Sequence, residues 1–170
     1  MSLHQMIISR FLVLIFSLHI ASCDDSVGNA GIDDVNSSPV AIFPANFMSM
    51  YSELRDCRHS HEHELNHIRV FANDLAAASY LALSPDVPYP PGSILVKAEY
   101  EDKDCLDLIG FTAVRRGEVG SVPDVYDWYW QKLDADRNVT EDGAPWRCIN
   151  CHAVHCAPPH GFELTCAEEI

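Results

Sequence analysis

The sequence predicts an α+β fold, a single domain in which an antiparallel β-sheet carries one or two packed helices. Three observations predict it. Several stretches read as strands, one alanine-rich segment between them reads as a helix, and a compact cysteine–histidine motif follows late in the chain. At 170 residues, nearly half of them apolar, the chain is long enough to bury a real core.

Taken in order, residues 1–22 read as a signal peptide. Arg10 precedes the apolar run Phe11–Phe16, and small residues follow it. That run is too short to span a bilayer as a finished helix. Ile20-Ala21-Ser22-Cys23 resembles the lipobox of bacterial lipoproteins, which implies acylation of Cys23; ordinary cleavage near Ser22 is the alternative. Residues 23–42 form the anchor and a tether, rich in Asp, Ser, Gly and Asn, and the folded domain is expected over residues 43–170. Such a protein works on the periplasmic side of a bacterial membrane or at the cell surface, where disulfides persist.

Within the domain, residues 66–72, 92–101, 108–116 and 125–133 are the expected strands. Residues 73–83 form the expected helix, with Asn73 or Asp74 as its N-cap, and prolines 85, 88, 90 and 91 stop it. "GEVGSVPD" and "DGAP" are turns. The formal charge of −14 speaks against nucleic acid and against an anionic membrane surface, so membrane contact is expected only through a lipid anchor. The same charge can steer a small cation or a basic redox partner.

"RCINCHAVHC", residues 147–156, concentrates the chemistry. Cys148, Cys151 and His152 satisfy C-x-x-C-H, the attachment pattern of haem c. Two thiols at that spacing can add to the two vinyl groups on one porphyrin edge, and the next imidazole then reaches the iron as proximal ligand. A four-sulfur zinc site from Cys148, Cys151, Cys156 and Cys166, or a pair of disulfides with His152 merely nearby, are the competing readings. Of the seven cysteines, setting aside Cys23 and a cofactor-bound Cys148 and Cys151 leaves four, which allow three pairings. Cys57–Cys105 with Cys156–Cys166 is the favoured set, since the second closes a short loop beside the motif.

The blocks "FPANFMSMY" (43–51), "HIRVFAND" (67–74), "PPGSILVKAEY" (90–100), "DWYWQKL" (127–133) and "RCINCH" (147–152), in that order, resemble the cytochrome P-460 family, whose relatives include the cytochrome c′-beta proteins. The match covers about residues 43 to 166. The resemblance implies one covalent haem c per chain, with His152 as axial iron ligand and an open position opposite. It also implies a lysine bonded to the porphyrin, here Lys97, and a distal cap near Tyr129; a one-residue slip would present Trp128 or Trp130 instead. By alternation Lys97 shares a strand face with Ser93, Leu95 and Glu99, while Ile94, Val96, Ala98 and Tyr100 form the more apolar face. That alone would point Lys97 to water. The chain has only three lysines, at 97, 103 and 132. No methionine stands in a convincing place for a sixth ligand.

The implied activity is oxidation of hydroxylamine to nitric oxide or nitrous oxide, with a redox partner protein taking the electrons. A non-catalytic module binding nitric oxide or carbon monoxide and a simple electron-transfer cytochrome are the alternatives, and a homodimer is among the expected assemblies. The extra cysteines, the acidic tether and the short tail after the motif depart from the family and mark a distinct branch. Separately, His59, His61, His63 and His67 lie close together; they read as a solvated loop or as a secondary copper, nickel or zinc site.

Overall fold

The computed structural model describes residues 38–60, 63–64 and 66–166. The stretch read as a signal peptide, Cys23, the stretch read as a tether up to residue 37, His61 and the last four residues lie outside them. The elements are α1 (Phe47–Met50), β1 (Ser52–His59), β2 (His67–Ala72), α2 (Asp74–Ala82), β3 (Ile94–Tyr100), β4 (Leu108–Arg116), β5 (Trp128–Asp134), β6 (Val139–Gly143), α3 (Trp146–His155), β7 (Gly161–Phe162) and β8 (Thr165–Cys166). Strands β1 to β6 form one antiparallel sheet in unbroken chain order, and β7–β8 is a separate hairpin. The predicted α+β class with an antiparallel sheet therefore holds. Among the described residues no helix is long and apolar enough to cross a membrane.

Both faces of the sheet are covered, and strand alternation divides the core accordingly. On one face Phe71, Val96, Ala98, Phe111, Ala113 and Leu133 pack with Phe43 and with Phe47 of α1. Phe47 meets Phe43, Phe71 and Phe111 edge-on at 5.0, 5.2 and 5.7 Å between ring centres, an arrangement aromatic quadrupoles favour. On the other face Ile68, Val70, Ala72, Leu95, Trp128 and Trp130 pack with Ala76 and Tyr80 of α2, with Leu164, and with Cys148 and Ile149 of α3.

Several boundaries differ from the sequence reading. Asn73 caps α2 by accepting from the Ala76 amide, and its amide group donates to the Gly92 carbonyl, so one side chain stops β2, starts α2 and fixes the approach to β3. β5 begins at Trp128 rather than 125, because Pro123–Val125 is a short 3-10 turn and Tyr126 and Asp127 take positive φ. The Asp127 carboxylate holds that turn by accepting from the amides of Gly120 and Val122. Residues 40–42, placed in the tether by composition, join the fold: Gln131 accepts from the Ile42 amide and donates to the Val40 carbonyl.

Two disulfides are present, Cys57–Cys105 and Cys156–Cys166. The first ties β1 to the turn between β3 and β4. The second fastens the end of α3 to β8.

Candidate functional site

The sheet face carrying Leu95 and Trp130 is the floor of a cavity of about 300 Å³, and α3 and the β7–β8 hairpin wall it. Cross-strand register sets the floor in rows. Leu95, Val114 and Trp130 are successive partners and form an apolar row; Val70, Lys97, Thr112 and Lys132 form the next. Glu99, paired with Ile68 and Gly110, lies one step further. The floor thus grades from apolar to charged along the strand direction. Glu64, Lys132 and Arg147 also line the cavity and are linked to one another by ion contacts, Lys132 to Glu64 at 3.1 Å and Arg147 to Glu64 at 4.0 Å.

α3 brings Cys148, Cys151 and His152 to this cavity. Pro145 precedes the helix with φ −61°, already helix-like, and its carbonyl accepts from the amides of Cys148 and Ile149. Residues three and four apart share a helix face, so Cys148, Cys151 and His152 point the same way. Neither cysteine is part of a disulfide. Burial, then the charge of Glu141, pushes the Cys148 thiol above its ordinary value.

His152 is held on two sides. Its Nδ1 donates to the Leu164 carbonyl oxygen at 2.6 Å, and the Trp130 ring meets it edge-on with centres 4.7 Å apart. Burial, then the positive charge of Lys97, lowers its pKa to about 3, so the ring is neutral and Nε2 keeps a lone pair. The hairpin that carries Leu164 is fixed in turn. Arg116 pairs with Glu163 at 2.8 Å, Trp128 Nε1 donates to the Glu163 carbonyl, and the Tyr89 and Thr165 hydroxyls share a bond of 2.9 Å.

Lys97 does not point to water. Its Nζ donates to His63 Nε2 at 2.7 Å, His63 Nδ1 donates to Glu99 Oε1 at 3.1 Å, and Thr112 Oγ1 donates to the same oxygen at 2.9 Å. Burial lowers the Lys97 pKa to about 8. Burial, then Lys97, also lowers that of His63. Burial pushes the Glu99 carboxyl upward, but the bond and charge of His63, the bond from Thr112 and the charge of Lys132 together outweigh it. The result is an ordered amine–imidazole–carboxylate chain along one edge of the cavity.

The structure does not bring Tyr129 to the site. Alternation turns Trp128 and Trp130 toward the cavity and Tyr129 away from it, where its hydroxyl bonds Asp142 and its ring lies under Arg115. The bond to Asp142, with burial, raises its pKa to about 12. Conversely, sequence reasoning missed His63, Glu99 and Thr112 as cavity groups. Glu99 was legible as the i+2 neighbour of Lys97; His63 carried no such signal. Among the described residues the histidines of this run are not one cluster: His59 and His67 pair across β1 and β2, whereas His63 enters the cavity.

The donor set suits a covalently attached haem: two thiols outside any disulfide and one helical turn apart, an imidazole whose second nitrogen is fixed by a carbonyl, and apolar walls of Val70, Leu95, Val114, Trp128 and Trp130. Trp130 Nε1 is buried there and has no hydrogen-bond partner among the described residues. Among the described residues no three His, Cys, Asp or Glu side chains are gathered as a metal site, so the four-sulfur zinc reading has no assembled ligand set; its Cys156 and Cys166 are bonded to each other. Compared with models of known protein families and with curated proteins, the chain finds no match.

Proposed function

We propose that this chain is an exported c-type haem protein of the cytochrome P-460 kind, which oxidises hydroxylamine to nitric oxide or nitrous oxide and passes the electrons to a redox partner protein. The observation that carries the reading is the convergence of Cys148, Cys151 and His152 on one apolar cavity, with His152 Nδ1 committed to Leu164. Cys148 and Cys151 would hold haem c through thioethers and His152 would bind its iron; when bound, the haem would supply redox-active iron. The rest of the chemistry belongs to the chain. Trp128, Trp130, Leu95 and Val114 exclude water from the floor. Lys97, with its amine in the cavity and easily deprotonated, is the candidate for the porphyrin cross-link. His63 and Glu99 stand ready to take up the protons that hydroxylamine must release as it is oxidised. Residues 1–22 and Cys23 supply export and a lipid anchor.

The test is expression of the full chain in cells competent for haem c maturation. A protein carrying a haem mass on the peptide with Cys148 and Cys151, joined also to the Lys97 peptide, and turning over hydroxylamine with an artificial acceptor, supports the reading. Colourless, iron-free protein overturns it, and haem without turnover reduces it to a binding module.

One observation favours a second reading. His63 is a second imidazole in the cavity, its ring centre 6.2 Å from that of His152. A low-spin six-coordinate spectrum in both redox states, lost in His63→Ala, would make the protein an electron carrier with His63 as sixth ligand.

A further inference from the structure

Away from the cavity, the antiparallel register places His59 of β1 directly opposite His67 of β2. Directly opposed side chains in such a pair stand only about 5 Å apart at Cβ. Here the two imidazole centres are 5.3 Å apart with their planes inclined at 63°. A second observation is independent of that proximity. His67 Nδ1 is buried and has no hydrogen-bond partner among the described residues. Buried polar nitrogens are almost always satisfied, and an orphan asks for a missing ligand, either a water or an ion.

The electrostatic setting favours a cation. The turn between β3 and β4 carries Glu101, Asp102, Asp104 and Asp107, against Lys103 alone. The Cys57–Cys105 disulfide pins that turn to β1 two residues before His59, and His67 is itself paired with Tyr100, the residue before Glu101. Arg58 on β1 and Arg69 on β2 are nearby cations, the second already paired with Glu53. The acids outnumber the bases, on a chain whose net charge is −14.

We infer that His59 and His67 form a two-imidazole site for a divalent transition ion of the copper, nickel and zinc class, separate from the cavity. Imidazole suits these ions, while magnesium and calcium prefer oxygen donors. No group of three metal-binding side chains is assembled among the described residues, so these two imidazoles are the side-chain ligands they offer. The site does not depend on the proposed haem.

The test uses the full chain with its thiols alkylated and Ni(II) as probe, since nickel does not oxidise cysteine. Calorimetric titration is expected to give one equivalent bound. His59→Ala and His67→Ala each weaken binding by about tenfold or more, whereas His63→Ala leaves it unchanged. In the unsubstituted protein, Ni(II) broadens the His59 and His67 imidazole resonances first, which keeps the test decisive if a variant fails to fold. Binding that survives both substitutions, or broadening that begins at other histidines, overturns the site.

Discussion

His152 Nδ1 lies 2.6 Å from the carbonyl oxygen of Leu164. A carbonyl oxygen only accepts, so Nδ1 carries the proton and Nε2 is the nitrogen left to bind. The tautomer of the candidate axial ligand is thus set by a backbone atom in a two-strand hairpin twelve residues downstream.

That dependence is testable through Gly161. A Cβ there would collide with the backbone carbonyls of Thr165 and Cys156, so the hairpin must shift. Gly161→Ala is expected to cost about 1–3 kcal/mol and to raise the population of the other His152 tautomer. Imidazole nitrogen chemical shifts measure it; an unchanged His152 signal would show that the hairpin is not what holds the ring.

The Arg116–Glu163 pair, with side chains only 11% and 14% exposed, supports the same hairpin. Glu163→Gln leaves Arg116 without its counter-charge and is expected to destabilise the fold by about 3 kcal/mol. Adding Arg116→Met should recover most of the loss, because the uncompensated charge goes with it. Urea unfolding of the two variants beside the unsubstituted protein checks both signs.

Lys97 gives the folded chain, before any group is attached, a distinctive pH response. Its pKa is about 8 when folded, against 10.5 ordinarily. Between those values the unfolded chain holds a proton that the folded chain has lost, so stability climbs as pH rises through this window. Below pH 8 both states are protonated and the burial penalty is felt in full. Lys97→Met is expected to raise the urea midpoint at pH 7 and to flatten the slope between pH 8 and 10.5; a slope that persists would assign it to another group.

The two disulfides close loops of different length, with sequence separations of 48 and 10. Chain-entropy arguments give roughly 4 kcal/mol for the first and roughly 3 kcal/mol for the second. Cys57→Ala with Cys105→Ala is therefore expected to lower stability more. Cys156→Ala with Cys166→Ala should disturb His152 more, since that bridge fastens β8 to the end of α3. Denaturation and imidazole NMR, run on both double variants, separate the effects.

Strands β2 to β5 and helix α2 were legible because their apolar content and caps are strong local signals. β1 and β6 were not. "SELRDCRH" and "VTEDG" are polar edge strands with no buried residue, formed because a neighbour offers its backbone. α3 was read only for its ligand spacing, and it too buries no residue fully. The inward direction of Lys97 was hidden for a related reason. Both sheet faces are buried, so the more apolar face of β3 is not the only inward one: it packs on α1, while the Lys97 face lies beneath α2 and α3. His63 was illegible because the turn between β1 and β2 carries it off the line of His59 and His67, and no periodicity describes a turn.

Every strand of the large sheet pairs with the one made just before it. Assembly can therefore proceed strand by strand in chain order, with the floor complete once residue 143 is in place. The wall containing α3 and the hairpin comes last and is latched by a bridge of its own. Until that latch closes, the basin stands open on one side, and a flat guest can be seated from above rather than threaded through a finished shell.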